Sequence, residues 1–143
     1  MKKHTLILAL FLSVYTISGC KKEELKNDKP GLLVGKKWKA TSLSENGKEV
    51  YMNEPLCTMD DYIVFAPNNL YKLDEGSTKC DSNDPQVKDV GAWSIDGDVL
   101  YMQSDELPVK SSVNIKELTA TKMVLNQTNI YNNTVDITTY IAE

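Results

Sequence analysis

The sequence predicts an all-β protein, a small antiparallel meander of about eight strands, preceded by a cleavable leader and a flexible tether. Three observations carry this. Apolar and polar residues alternate with period two in several short runs, the period of a half-buried strand. Asn-Gly, Asp-Gly and Pro-Asn-Asn turns separate those runs. The intervals between them leave no room for the crossover helices that parallel strands require. Many short strands at even spacing predict a meander that closes into a barrel or folds over as a sandwich.

The chain opens Met1-Lys2-Lys3-His4, followed by an apolar run of about 13 residues from Thr5 to Ile17. A positive start and a short apolar stretch are the layout of a secretory leader. Crossing a bilayer as a permanent helix takes roughly 20 residues, so the run is not a membrane span. Next comes Ile17-Ser18-Gly19-Cys20, which resembles the bacterial lipobox, in which the cysteine is lipidated and becomes the new N-terminus. Residues 1–19 are therefore expected to be removed, and Cys20 to carry the lipid. Proteins of this kind bear more than one acyl chain, and more than one is what stable anchoring requires. From Lys21 to Pro30 the chain is charged and nearly free of apolar residues, which reads as a solvated tether. The tether is assigned to residues 20–31 and the folded domain to 32–143. Ten residues reach at most roughly 35 Å, which keeps the domain close to its membrane. Lys21-Lys22-Glu23-Glu24 is similar to the acidic signal that sends lipoproteins of Bacteroidetes-type bacteria to the cell surface, and reads equally as a plain spacer. The expected location is the outer membrane, on its periplasmic face or at the cell surface.

Within the domain, Leu33-Val34 begins a strand that continues with Trp38, Ala40 and Ser42 alternating with Lys37, Lys39 and Thr41, and Asn46-Gly47 ends it. Tyr62–Phe65 turns at Pro67-Asn68-Asn69 into Leu70–Leu73, the asparagines tolerating left-handed backbone. Gly91–Ile95 and Val99–Met102 flank an Asp-Gly pair, the signature of a type I′ hairpin. Val113–Leu118, Met123–Leu125 and Val135–Ile141 complete the set. In the last, Val135, Ile137 and Ile141 share one face against Asp136, Thr138 and Tyr140. Two longer connections remain, Ser44–Asp61 with Cys57 and Asp74–Asp89 with Cys80.

Three cysteines leave one odd in an exported chain. Lipid on Cys20 resolves this, and Cys57 with Cys80 is then expected to form a disulfide, because an oxidising compartment preserves such bonds. The bond would staple the two long connections together.

Composition excludes several functions. The net charge is −4 and the cationic residues are all lysine, so the clustered basic face that nucleic acid requires is not expected. The single histidine, His4, departs with the leader, which removes histidine-based acid/base catalysis and histidine-ligated zinc from the mature protein.

Taken together, Gly35-Lys-Lys-Trp38, Asp61-Tyr-Ile-Val-Phe65, Lys79-Cys-Asp81 and Gly91-Ala-Trp-Ser-Ile-Asp-Gly97 resemble the lipocalin-like domain of Bacteroidetes lipoproteins over residues 31 to 142. The resemblance implies an eight-stranded lipocalin-like barrel. Two lysines separate Gly35 from Trp38 where larger secreted lipocalins have one residue, and this domain is shorter. Eight strands enclose an interior that side chains can just fill or that holds one small ligand. Trp38, Phe65 and Trp93 are the candidates either to line that ligand site or to be core.

Other chemistry is weaker. Asp81-Ser82-Asn83-Asp84 offers closely spaced oxygen ligands for calcium but lacks the EF-hand glycine and distal glutamate, so a solvated turn is expected. Asp60-Asp61, Asp74-Glu75 and Asp105-Glu106 are acid pairs of the kind glycosidases use, but each falls at a strand end or loop where exposed charge is ordinary. No enzyme activity, cofactor or metal is expected. Two functions remain. One is a membrane-anchored module that binds a small apolar ligand in the barrel mouth. The other is a packed structural module whose loops contact an envelope protein.

Overall fold

Strand β1 (Lys37–Glu45) pairs with β3 (Tyr62–Phe65) along one edge and with β9 (Val135–Ala142) along the other, and this double pairing closes the sheet. The computed structural model describes residues 28–107, 110–129 and 133–143. The leader, Cys20 and the tether through residue 27 lie outside the described residues. Around the barrel, β3 is followed by β4 (Leu70–Asp74), β5 (Val87–Asp96), β6 (Val99–Ser104), β7 (Lys110–Leu118) and β8 (Lys122–Thr128), which meets β9. Each strand is antiparallel to its neighbours, as a meander dictates. A ninth strand, β2 (Lys48–Glu49), folds back on β1 across the Asn46-Gly47 turn and stays outside the closed ring. Asn46 and Gly47 have φ of 50° and 80°, the left-handed pair that a tight hairpin needs. Among the described residues no helix is long and apolar enough to cross a membrane.

The chain enters through a short helix, α1 (Lys29–Leu33), capped by Asp28, whose Oδ1 accepts the Gly31 amide at 3.2 Å. The last three residues assigned to the tether thus belong to this helix, and Leu33, read as strand, ends it. Pro30 in the first turn suits a helix start, where no amide partner is lost. Leu33 turns inward with no exposed surface. The Lys29 ammonium caps the Gly97 carbonyl at 2.7 Å and pairs with Asp98 in the β5–β6 turn. Helix α1 therefore lies across one end of the barrel.

That end is the floor. Trp38 starts β1, Phe65 ends β3, Leu100 begins β6 and Met123 begins β8, so an up-and-down topology brings all four to the same end. All are 0% exposed, and Trp93 is 4%. Phe65 and Trp93 meet edge to face with centroids 5.5 Å apart, the arrangement aromatic quadrupoles prefer. Both indoles are satisfied, Trp38 Nε1 donating to Leu33 O at 2.8 Å and Trp93 Nε1 to Ala66 O at 3.3 Å. Gly91 lets β5 approach β6 closely, since a Cβ there would lie 2.0 Å from Gln103 O.

Two faces differ from the expected pattern. A bulge between Ala40 and Ser42 shifts β1 by one residue, so that Trp38, Ala40 and Leu43 pair with the inward Ala142, Tyr140 and Thr138, while Ser42 pairs with outward Thr139. In β9 the aliphatic residues face outward, and Val135 and Ile141 are each 38% exposed. Asp136, Thr138 and Tyr140 face the lumen, because β9 takes its register from inward Met123 and Leu125 of β8.

Candidate functional site

The end opposite the floor is the mouth, where Glu45, Ser104, Lys110, Thr128 and Val135 terminate or begin their strands. Two connections frame it. Residues 51–59 form two 3₁₀ turns, Tyr51–Asn53 and Leu56–Thr58, and residues 75–86 form the loop between β4 and β5. The disulfide between Cys57 and Cys80 joins them, with Cα atoms 5.1 Å apart. Asp60 adds a second tie, its Oδ2 accepting from the Ser77 hydroxyl at 2.6 Å and the Ser77 and Thr78 amides at 2.8 and 2.9 Å. The Ser77 hydroxyl and these amides hold the Asp60 carboxyl below its ordinary pKa, against the opposing effect of burial. Tyr51 OH donates to Ala40 O at 2.7 Å and pins the first connection to β1.

Between floor and mouth the lining changes from apolar to polar. Tyr71 OH donates to Asp89 Oδ2 at 2.7 Å, and Ser104 Oγ to Asp89 Oδ1 at 2.6 Å. Burial and the Asp89 carboxylate raise the Tyr71 phenol well above its usual range, so it remains a donor. Nearer the rim, a bulge opposite Leu73 and Asp74 brings out Lys88. Its Nζ lies 2.8 Å from Glu75 Oε1 and 3.2 Å from Asp61 Oδ2. The Glu75 carboxylate raises the Lys88 pKa. Burial raises that of Asp61, and Lys88 offsets part of the effect. Asp74 is pulled the other way. Burial pushes it up, but Gln86, Lys72, Tyr62 and the Gly76 amide outweigh it and hold the carboxyl at about 2.

Across the lumen, Val113, Leu125, Gln127, Asp136, Thr138 and Tyr140 enclose a cavity of about 70 Å³. Asp136 Oδ1 is buried there with no hydrogen-bond partner. Gln127 pairs with Asp136 and Leu125 with Thr138 in the β8–β9 register, so the carboxylate, amide and hydroxyl share one wall. A larger concavity, about 440 Å³, lies outside the barrel on β3–β5, where Val64, Ala66, Leu70 and Val90 line it. Leu70 is 47% and Val90 44% exposed.

The residues singled out from sequence divide clearly. Trp38, Phe65 and Trp93 come together in the floor, as core. Cys57 and Cys80 meet at the mouth. Cys20 lies outside the described residues. Two of the acid pairs are not simply exposed charge: Asp74 is 4% and Glu75 0% exposed, with Lys72, Gln86 and Lys88 as partners, and Asp60 and Asp61 are partly buried against Ser77 and Lys88. The Asp81 loop spends Oδ1 on its own turn, accepting from Asn83 N at 2.9 Å and Nδ2 at 3.0 Å. Among the described residues no group of three or more acids, histidines or cysteines is arranged to hold a metal ion. Sequence reasoning missed the lumenal set of Asp89, Gln127, Asp136 and Thr138. The available signal was the polar face of β9, once the inward direction of β8 is known.

No curated protein matches the chain. The profile of a family described as a lipocalin-like domain matches residues 33–125.

Proposed function

Because this chain belongs to the lipocalin-like domain family, we propose that it is a membrane-tethered binding protein that holds a small ligand in the mouth half of its barrel. The carrying observation is the division of the lumen. Trp38, Phe65 and Trp93 fill the floor, and above them a cavity lined by Gln127, Asp136 and Thr138 retains an unpartnered buried acceptor. A buried carboxylate oxygen left without a donor is costly, so a group that supplies one is bound favourably. The lining favours a small ligand with a hydrogen-bonding head as well as the apolar part that the sequence suggested.

The anchor follows from the leader and Ile17-Ser18-Gly19-Cys20. The chain enters through α1 at the floor, so the tether joins the barrel at the end opposite the mouth. Radioactive palmitate should label the wild type and not Cys20→Ala; label on that variant contradicts the anchor. For the ligand, native mass spectrometry of protein extracted from its own envelope should show a low-mass species that is lost on denaturation. A ligand-free spectrum contradicts the binding function.

One observation favours a second reading, a packed module that docks an envelope protein. The outer groove at Leu70 and Val90 is larger than the lumenal cavity and mostly apolar. A cross-linked partner mapped to β3–β5, with an empty lumen, would select it.

A further inference from the structure

We infer that the lumenal cavity recognises a small aliphatic ammonium ion, with Asp136 as its charge partner; this rests on the binding function above and names the ligand class. Four features of the cavity lead there.

The first is the orphaned acceptor. Asp136 Oδ1 is buried and unpartnered, and among the described residues no lysine pairs with Asp136. The inward cation nearest the rim, Lys88, is already held by Glu75 and Asp61. A buried carboxyl oxygen without a donor is best matched by a group that donates hydrogen bonds, and an ammonium adds a positive charge to them.

The second is the arrangement of acceptors. The Gln127 side-chain amide and the Thr138 hydroxyl, which also meets the Tyr140 phenol, share the wall with Asp136. An –NH₃⁺ group presents three donors and no acceptor, and three neighbouring oxygens suit it.

The third is the remainder of the lining. Val113 and Leu125, with the ring of Tyr140, supply an apolar surface that fits a short alkyl chain and not a hydrated metal ion. The volume, about 70 Å³, is several times the roughly 10–15 Å³ that one water requires on a comparable measure, yet far below the roughly 300 Å³ of a drug-sized site. It takes a head group with a few carbons.

The fourth is the field at the mouth. Glu45, opposite Lys48 across the β1–β2 turn, is the cross-strand partner of Asp136 at the rim, and the facing wall carries Asp89 together with Asp61 and Glu75, which share Lys88. A cleft with this excess of negative charge concentrates cations and repels anions.

The test is a chemical-shift titration of the ¹⁵N-labelled full chain in detergent micelles, with n-propylammonium, propan-1-ol and propionate as probes. The expected result is saturable shifts of the Gln127 and Thr138 amides with propylammonium, with propan-1-ol at least tenfold weaker and propionate without effect. Asp136→Asn, close to isosteric, should weaken propylammonium at least tenfold and propan-1-ol by a much smaller factor, since the alcohol loses a hydrogen bond but no charge partner. Thr138→Val provides a second variant and should weaken the ammonium by a smaller factor. Equal binding of alcohol and ammonium, or undiminished ammonium binding by Asp136→Asn, overturns the ammonium assignment and leaves lumenal binding standing. No shift at Gln127 or Thr138 with any probe overturns both.

Discussion

Lys88 Nζ lies 2.8 Å from Glu75 Oε1, a carboxylate with no exposed surface, and the same ammonium reaches Asp61 at 3.2 Å. One lysine thus neutralises two acids beneath loops that a disulfide and Asp60 hold in place. This arrangement lets a small barrel keep a charged mouth and remain folded.

Removing Lys88 should therefore be costly. Lys88→Met leaves Glu75 buried without its cation, and breaking a buried pair costs about 3–5 kcal/mol. Urea unfolding should show that loss, and Lys88→Met combined with Glu75→Leu should recover part of it. The raised Lys88 pKa gives an alkaline dependence: its stabilisation is present below the ordinary lysine value and declines as pH rises through the higher folded value.

Asp74 governs the acid side. Its folded pKa of about 2 lies below the ordinary 3.8, so its contribution is complete above about pH 4 and fades as pH falls toward 2. A shift of this size corresponds to about 2 kcal/mol. Asp74→Asn should lower stability at pH 7 by about that amount and flatten the decline in unfolding midpoint between pH 4 and 2. An unchanged acid profile would contradict the assignment.

The disulfide closes a loop with a sequence separation of 23, and loss of such a constraint costs roughly 3 kcal/mol. Cys57→Ser with Cys80→Ser should lower the denaturation midpoint accordingly. Because the floor is built from other strands, near-ultraviolet dichroism from Trp38 and Trp93 should persist in the folded variant.

Much of the barrel was legible in the sequence because its signals are local. Asp96-Gly97 and Asn46-Gly47 specify hairpins within a few residues, and Trp38 and Phe65 mark inward positions. The β5–β6 turn is Gly97-Asp98, with positive φ at Gly97 alone, and so is not the expected type I′. The lumenal site was not legible for a physical reason. Which face of β9 points inward is decided by pairing with β8 and β1, whose bulges reset the alternation. Val135, Ile137 and Ile141 do share one face, as their spacing predicts, and that face is the outward one. The three residues Val87–Asp89 read as part of the connection from Asp74 to Asp89. They are the start of β5, and Lys88 and Asp89 are accommodated by Glu75, Asp61, Tyr71 and Ser104. The Cys57–Cys80 pair was legible because counting cysteines requires no geometry.

Gly91 offers a check on the barrel wall. A Cβ there would lie 2.0 Å from Gln103 O and 2.9 Å from Ser104 Cα, both backbone atoms that cannot swing aside. Gly91→Ala should push β5 and β6 apart and lower the thermal midpoint, with lost amide-exchange protection concentrated at Trp93, Met102 and Ser104. Uniform protection across both strands would contradict that packing.

The central claim, a ligand held in the mouth half of the lumen, is tested most directly by comparing native mass spectra of wild type and Val113→Trp, each extracted from the same envelope. Val113 lines the cavity and is half-buried, so an indole there fills the space while circular dichroism verifies the fold. The account predicts a low-mass species on the wild type and none on the folded variant. The same species on both, or on neither, would contradict it.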